Sequence, residues 1–356
     1  MRLVPALLLL ACASRVGRLG GFLFGLISNR WLLAMILAAA CGAPPALAAL
    51  NYNSRSISGL SKAYGFVLGQ EYSLARVEST FPALRIQVEV ARLAFGSGFP
   101  NIKQGLEKEL SNALGDTKLK QLQADITKKL KGLLSKQTTT LESSQQFLDL
   151  VRARGKGREI ESDVLSYLLA VKYAHNPAGE FLDGFRQRYR TDGVGKSQGV
   201  KLVLQLPYSW RGKEAERPHI VQTWVSEGGT GLSNIMLSVQ DAQGYASTRR
   251  ELDQFVKSGE IREAVPDGAK YLDGGAFSQE KSAGYWMEMT MPQERAGIKM
   301  YMRGFMYLLF FRGKGISVMC MAGGPEQNRA LADVESVKLK PLCQQVMNSL
   351  VLEQAY

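Results

Sequence analysis

The chain has 356 residues, 46% of them hydrophobic and 21% charged, and 44 basic against 32 acidic side chains give a formal net charge of +12. That length supports two or three domains, and the composition excludes a long disordered chain and a fibre. Four cysteines are too few for a disulfide scaffold or an array of zinc ribbons, and two histidines, His175 and His219, cannot build a His-rich metal site.

Residues 1–49 hold Arg2, Arg15, Arg18 and Arg30 and no acid. Arg30 precedes the apolar run Trp31–Ala40, which leads through Pro44-Pro45 to Ala46-Leu47-Ala48, the small-x-small pattern of a signal cleavage site. A membrane span needs about 20 continuous apolar residues, and Asn29-Arg30 interrupts the run first. The expectation is an export region over 1–48, cleaved after Ala48, and a periplasmic or secreted protein. An uncleaved anchor and a lipid on Cys41 are the alternatives. Residues 1–30 exceed what such a signal needs, which places the true start downstream.

Without this region the net charge is +8, because all four of its charged residues are basic. Residues 51–196 carry 22 basic and 15 acidic side chains, and residues 197–356 carry 18 and 17. The basic character therefore belongs to the first half.

That half, residues 51–191, has helical periodicity and helix-end signals. Thr80 and Pro82 start a helix bearing Leu84, Val88, Leu93 and Phe95. Ile102, Leu106, Leu110 and Leu114 recur at every fourth residue and stop at Gly115. Asp116 caps a segment with Leu119, Leu122, Ile126, Leu130 and Leu133 on one face. Thr139 with Glu142 forms a capping box ahead of Phe147, Leu148 and Val151. Val164, Tyr167, Leu168 and Val171 make a last stripe, ended by Asn176-Pro177. A bundle of five to seven helices follows.

Within the bundle, residues 117–136 hold Lys118, Lys120, Lys128, Lys129, Lys131 and Lys136 against the single acid Asp125. A basic amphipathic helix of this kind lies on an anionic membrane surface or meets an acidic partner. The same lysines also suit the solvated face of an ordinary bundle helix. Arg152, Arg154, Lys156 and Arg158 add a second basic cluster in a Gly-containing loop. No aromatic residues are interleaved with these patches and no nucleic-acid motif accompanies them, so nucleic acid is not an expected partner.

Residues 192–199, rich in Gly and polar residues, read as a linker. Gly195-Lys196-Ser197 is not a phosphate loop: Arg190 stands where the motif requires its first glycine, and a strand rather than a helix follows. Residues 200–356 read as strands at 200–206, 219–226, 233–240, 269–278, 283–291, 298–311 and 316–322. One helix interrupts them, with Thr248 and Glu251 as its capping box and Leu252, Phe255 and Val256 as its buried side. Another closes the chain around 328–351. The fold class is α+β, a helical bundle followed by a mainly antiparallel sheet with helices on its faces, an α/β/α sandwich.

Phe311 and Ile316 flank a four-residue connection, Arg312-Gly313-Lys314-Gly315. Pairing across it sets Leu309 opposite Val318, Tyr307 opposite Cys320 and Met306 opposite Met321. Cys320 then shares a face with Ile316, Val318, Leu309 and Phe311. On the last helix Cys343, Val346, Met347 and Leu350 share another. In an oxidising compartment Cys320 and Cys343 can pair; otherwise they are two buried thiols acting as small hydrophobes.

Strand parity puts Met287, Met289, Met291, Met300, Met302, Met306, Met319 and Met321 on the opposite surface of the sheet. Thioethers there can line an adaptable groove for a partner or bind copper(I); the plain alternative is core under a covering helix or under the helical domain. No catalytic residue emerges. Gly96-Ser97-Gly98 lacks the pattern of a nucleophile elbow, and neither histidine has an evident acid partner. No cofactor motif appears.

The second half resembles PsbP-like photosystem extrinsic proteins and DcrB-like envelope proteins. The resemblance is carried by a first strand ending Leu206-Pro207-Tyr208-Ser209-Trp210, by the long Met300–Phe311 strand with its Gly313-Lys314-Gly315 turn, and by a closing helix with Val346-Met347-Asn348-Ser349-Leu350. It covers about 155 residues and none of the helical half. It implies an α/β/α sandwich used for binding and assembly, and it supplies no catalytic residues. The sequence thus predicts an exported, non-catalytic binding or assembly protein of the cell envelope whose basic half meets an envelope partner or an anionic membrane surface. The alternatives are an enzyme with a site at the domain junction and a copper carrier using the Met-rich face.

Overall fold

The computed structural model describes residues 52–134, 139–242, 247–295 and 297–356. The export-like region, with Cys41 and the cleavage motif, lies outside them, as does Lys136.

Seven α-helices build the first part among the described residues: α1 (Ser54–Thr80), α2 (Arg85–Gly98), α3 (Ile102–Leu114), α4 (Asp116–Leu134), α5 (Leu141–Gly155), α6 (Ser162–Lys172) and α7 (Pro177–Leu182). Asn53 starts α1 by accepting the Arg55 and Ser56 N–H groups, with Ser56 reciprocating onto the Asn53 backbone. The box that opens α5 is Thr140 with Ser143, one residue beyond the expected Thr139 and Glu142. Leu60, Leu106, Leu110, Leu148 and Leu168 are fully buried at the centre of this bundle. Helices α2 and α5 cross at Gly98 and Gly155, so closely that a Cβ on Gly98 would lie 1.8 Å from the Gly155 carbonyl oxygen. Only glycine permits that approach.

The second part contains β1 (Arg186–Arg190), β2 (Leu202–Pro207), β3 (Arg211–Lys213), β4 (Ile220–Val225), β5 (Ser233–Asp241), β6 (Lys270–Gln279), β7 (Ser282–Arg295), β8 (Ile298–Phe311), β9 (Lys314–Pro325) and β10 (Val351–Leu352), with helices α8 (Arg249–Ser258) and α9 (Arg329–Asn348). Strands β3-β4-β5-β9-β8-β7-β6 form one antiparallel sheet and β1-β2-β10 a second. The class is α+β, as the sequence predicts.

The inner face of the large sheet carries Trp224, Ile235, Leu237, Phe305, Leu309, Ile316 and Val318 against Leu202, Leu204 and Leu206 of the small sheet and Leu339, Leu342 and Val346 of α9. Cys320 and Cys343, both fully buried in this layer, are joined as a disulfide with their Cα atoms 6.0 Å apart. It ties α9 to the sheet.

The β8–β9 hairpin differs from the expected one. Phe311 pairs with Lys314, leaving a two-residue loop of Arg312 (φ 50°) and Gly313 (φ 72°). Positive φ at both positions gives the turn whose twist matches a hairpin, which outweighs the cost of a left-handed arginine. Leu309 therefore faces Ile316, Tyr307 faces Val318, Phe305 faces Cys320 and Met306 faces Met319. The register moves by two residues, so every side chain keeps its expected face.

Residues 186–190, which the sequence places in the helical half, form β1 and pair with β2 along their full length. The expected linker holds a short 3-10 turn, Gly195–Ser197, against the sandwich. The two parts also exchange core residues. Ala178 and Phe181 of α7 belong to the sandwich core, while Tyr208 of the loop after β2 packs on the bundle core. The described residues from 52 to 356 form one compact unit.

Candidate binding surfaces

Helix α4 is the least buried long helix of the bundle: Leu119 is its one buried residue, and Leu122, Ile126 and Leu130 are half-buried against the core. Gln123 fastens it further, donating to the Tyr64 hydroxyl at 3.0 Å, and that hydroxyl donates to Glu107. Leu133, on the same stripe, is 67% exposed. Lys118, Lys120, Lys128, Lys129 and Lys131 are all exposed, and among the described residues none makes an ion pair.

The second basic cluster divides. Arg152 pairs with Asp149 one turn earlier. Arg154 lies over the Phe66 ring at 4.9 Å and donates to Gln70 of α1 and to the Glu159 carbonyl, and burial holds its pKa below the usual arginine value. Both arginines are engaged in the fold. Lys156 and Arg158 remain exposed.

A cleft of about 60 Å³ opens where the bundle meets the sandwich, lined by Tyr173, Glu180, Ser209, Ser226, Glu227 and Glu335 among others. It has room for a few water molecules. Glu180, 2% exposed, accepts from the Ser209 N–H at 2.6 Å and the Ser209 hydroxyl at 2.7 Å. Desolvation pushes its pKa up to about 7, against the opposing pull of the Ser209 and Tyr208 donors and the Lys172 charge. The carboxylate thus clamps α7 to the loop after β2. No sequence pattern marks it: Glu180 sits in a six-residue helix behind a proline. His175 and His219 are both exposed and away from this cleft's lining.

All eight methionines singled out by parity do share the outer face, as the pairs Met287–Met306, Met291–Met302 and Met306–Met319 require. Met236 of β5, opposite Met319, joins them. Their cover is the chain's own α8 and the turn after it, with Leu252, Phe255 and Ile261 packed on Met287, Met289, Met306 and Leu308. The helical domain is not the cover. Met287 and Met289 are fully buried, so no groove is open there; Met321 is also buried, and Met291, Met300, Met302 and Met319 are half-buried.

On the inner face, beyond the part of the sheet that α9 covers most deeply, lies a charge network that the sequence did not mark. Arg303 of β8 donates to Glu288 of β7 through Nε and Nη2, at 3.0 and 2.7 Å, and pairs with Asp333 of α9 at 3.2 Å. Lys340 stands 3.7 Å from Glu288 and over the Trp286 and Phe305 rings. These charges are satisfied internally. Among the described residues no cluster of three or more His, Cys, Asp or Glu is placed to hold a metal, and no helix is long and apolar enough to cross a membrane.

No family model matches the chain, and no curated protein matches it. Over about half its length it is similar to solved structures. One is PsbP of the cyanobacterium Synechocystis sp. PCC 6803, at 14% identity and TM-score 0.29, over 47% of this chain and 92% of that one. Another is the Ran-binding protein Mog1p of Saccharomyces cerevisiae, at 7% and 0.32, over 47% and 95%. A third is LpqN of Mycobacterium tuberculosis, described as involved in cell envelope biogenesis, at 13% and 0.27, over 50% and 96%. The PsbP-like resemblance read from the sequence recurs here as a likeness of fold. It brings no activity or partner to this chain.

Proposed function

We propose that the chain is an exported, non-catalytic binding or assembly protein of the cell envelope that meets an anionic surface or an acidic partner through its helical half. The observation that supports this reading is the row of five exposed α4 lysines without a carboxylate partner among the described residues. Other charged residues of both parts are paired within the fold, Arg92 with Glu78 and Lys103 with Glu71 in the bundle and Arg303 with Glu288 and Asp333 in the sandwich. Uncompensated like charges on one helix repel each other, and an external anion relieves that repulsion. Lys156 and Arg158 extend the same sign of charge. Export is supported by the Arg30, Trp31–Ala40 and Ala46–Ala48 pattern.

The test is sedimentation of the full chain with phosphatidylglycerol vesicles and with phosphatidylcholine vesicles, beside capture of partners from an envelope extract. At about 1 kcal/mol per lysine near an anionic surface, replacing Lys128, Lys129 and Lys131 by Gln weakens vesicle binding about 100-fold. Binding and capture that survive the triple substitution unchanged would overturn the proposal.

A further inference from the structure

We infer that α4 lies in the headgroup layer of an anionic lipid bilayer with its leucine stripe inserted, leaving the bundle to do so. The inference rests on the basic-surface reading above and commits it to one partner and one mode of contact.

Four observations carry it. First, Leu119, Leu122, Ile126, Leu130 and Leu133 keep one stripe along the whole of a 19-residue helix, which at 1.5 Å per residue is about 28 Å long. Second, the bundle takes up only part of that stripe. Burial is complete at Leu119, partial at Leu122, Ile126 and Leu130, and mostly absent at Leu133, which is 67% exposed. Ile86, Val90 and Leu93 of α2 are exposed as well, so exposure alone does not single out α4; what does is a partly seated stripe on the helix that also carries five exposed lysines.

Third, two of the lysines stand where a lipid interface needs them. At about 100° per residue, Lys118 and Lys129 lie on one flank of the stripe, about 60–80° from its centre, while Lys120, Lys131 and Lys128 lie on the far side of the helix. Flanking lysines can lay their methylene stems beside acyl chains and lift their ammonium groups to the phosphates. Fourth, the side-chain attachments of α4 to its neighbours are few: Gln123 donates to Tyr64 and, at 3.4 Å, to Glu107, Ser111 of α3 donates to Asp116, and no ion pair joins α4 to another helix among the described residues. Release uncovers the part of the bundle core that Leu119, Leu122, Ile126 and Leu130 pack on, so insertion is favoured only where the bilayer buries the whole stripe, Leu133 included.

The test uses the full chain and vesicles of phosphatidylglycerol and phosphatidylcholine, some with brominated acyl chains. Leu133 is exposed, so Leu133→Trp and Leu133→Gln leave the fold intact. Leu133→Trp should gain tryptophan emission that brominated chains quench beyond the quenching of the parent's own tryptophans. Leu133→Gln should bind anionic vesicles about 10-fold more weakly than the parent, since most of a leucine's transfer free energy is lost. A Leu133→Trp protein that binds without added quenching, or a Leu133→Gln protein that binds within twofold of the parent, overturns insertion while leaving electrostatic contact standing. Failure of the parent to bind anionic vesicles overturns both.

Discussion

Glu180→Gln offers the sharpest test of how the two halves are joined. In the folded chain the Glu180 carboxyl is raised from 4.5 to about 7 by burial, and a gap of that size corresponds to about 3 kcal/mol. The folded state holds its proton to higher pH than the unfolded state does. Between pH 4.5 and 7 the folded state therefore binds more protons, and stability falls as pH rises through that window. Below it the contribution is fully present; above about pH 7 it is lost. Gln at this position keeps both contacts, since its carbonyl can accept the Ser209 N–H and its amide can donate to the Ser209 hydroxyl, but it cannot ionise. Urea unfolding of parent and variant from pH 4.5 to 8.5 isolates the effect. The variant should match the parent near pH 5 and exceed it by about 3 kcal/mol near pH 8.5. A difference between the two proteins that stays flat across this range would refute the account of Glu180 as a desolvated clamp.

Three further outcomes follow from the packing. Opening the Cys320–Cys343 bond, which closes a 23-residue separation, should cost about 3 kcal/mol through the unfolded state, and unfolding midpoints that do not move under reductant would contradict this. Arg303→Ala leaves Glu288, 8% exposed, with only the more distant Lys340; a double-mutant cycle with Glu288→Gln should return a coupling above about 1 kcal/mol, and additivity would count against the network. Phe181→Ala, in the helical half, should destabilise by about 3–5 kcal/mol and shift the near-ultraviolet signal of the sheet tryptophans, whereas an effect confined to the helices would deny the shared core.

Legibility in the sequence tracked how directly a residue reports its surroundings. The α8 capping box was readable because Thr248 and Glu251 form a local pattern that needs no tertiary contact. The methionine and cysteine faces were readable because strand parity survives an error of two in register, as it did at Arg312-Gly313. The α5 cap was displaced by one residue because a run of threonines offers several equivalent caps, and only the fold selects Thr140. Strand β1 was missed for a different reason. Arg-Gln-Arg-Tyr-Arg has one apolar side chain, Tyr189, which stacks edge-on against Trp224, so it presents no alternation to read. Glu180 and Arg303 owe their roles to partners 29 and 30 or fewer residues away on other elements, and separations of that kind leave no mark in a linear pattern.

The join between the halves also fixes where the α4 lysines sit. Because Ala178 and Phe181 complete the sandwich core and Tyr208 packs on the bundle core, neither part can shed the other without opening a cavity in its own interior. The bundle is thereby held as a platform. With Arg186, Arg188 and Arg190 carried into the sandwich by β1, residues 51–185 hold 18 basic and 14 acidic side chains and residues 186–356 hold 22 and 18. The two parts therefore share the net charge equally, and five of the bundle's exposed lysines are gathered on α4. A local cluster of exposed lysines such as this one is attracted to an anionic surface. Within the platform, the loosely held element is α4, whose stripe the core covers only in part. On the proposal above, the interlocked core fixes where the α4 lysines sit, and the shallow seat of α4 would free its apolar stripe at an anionic surface.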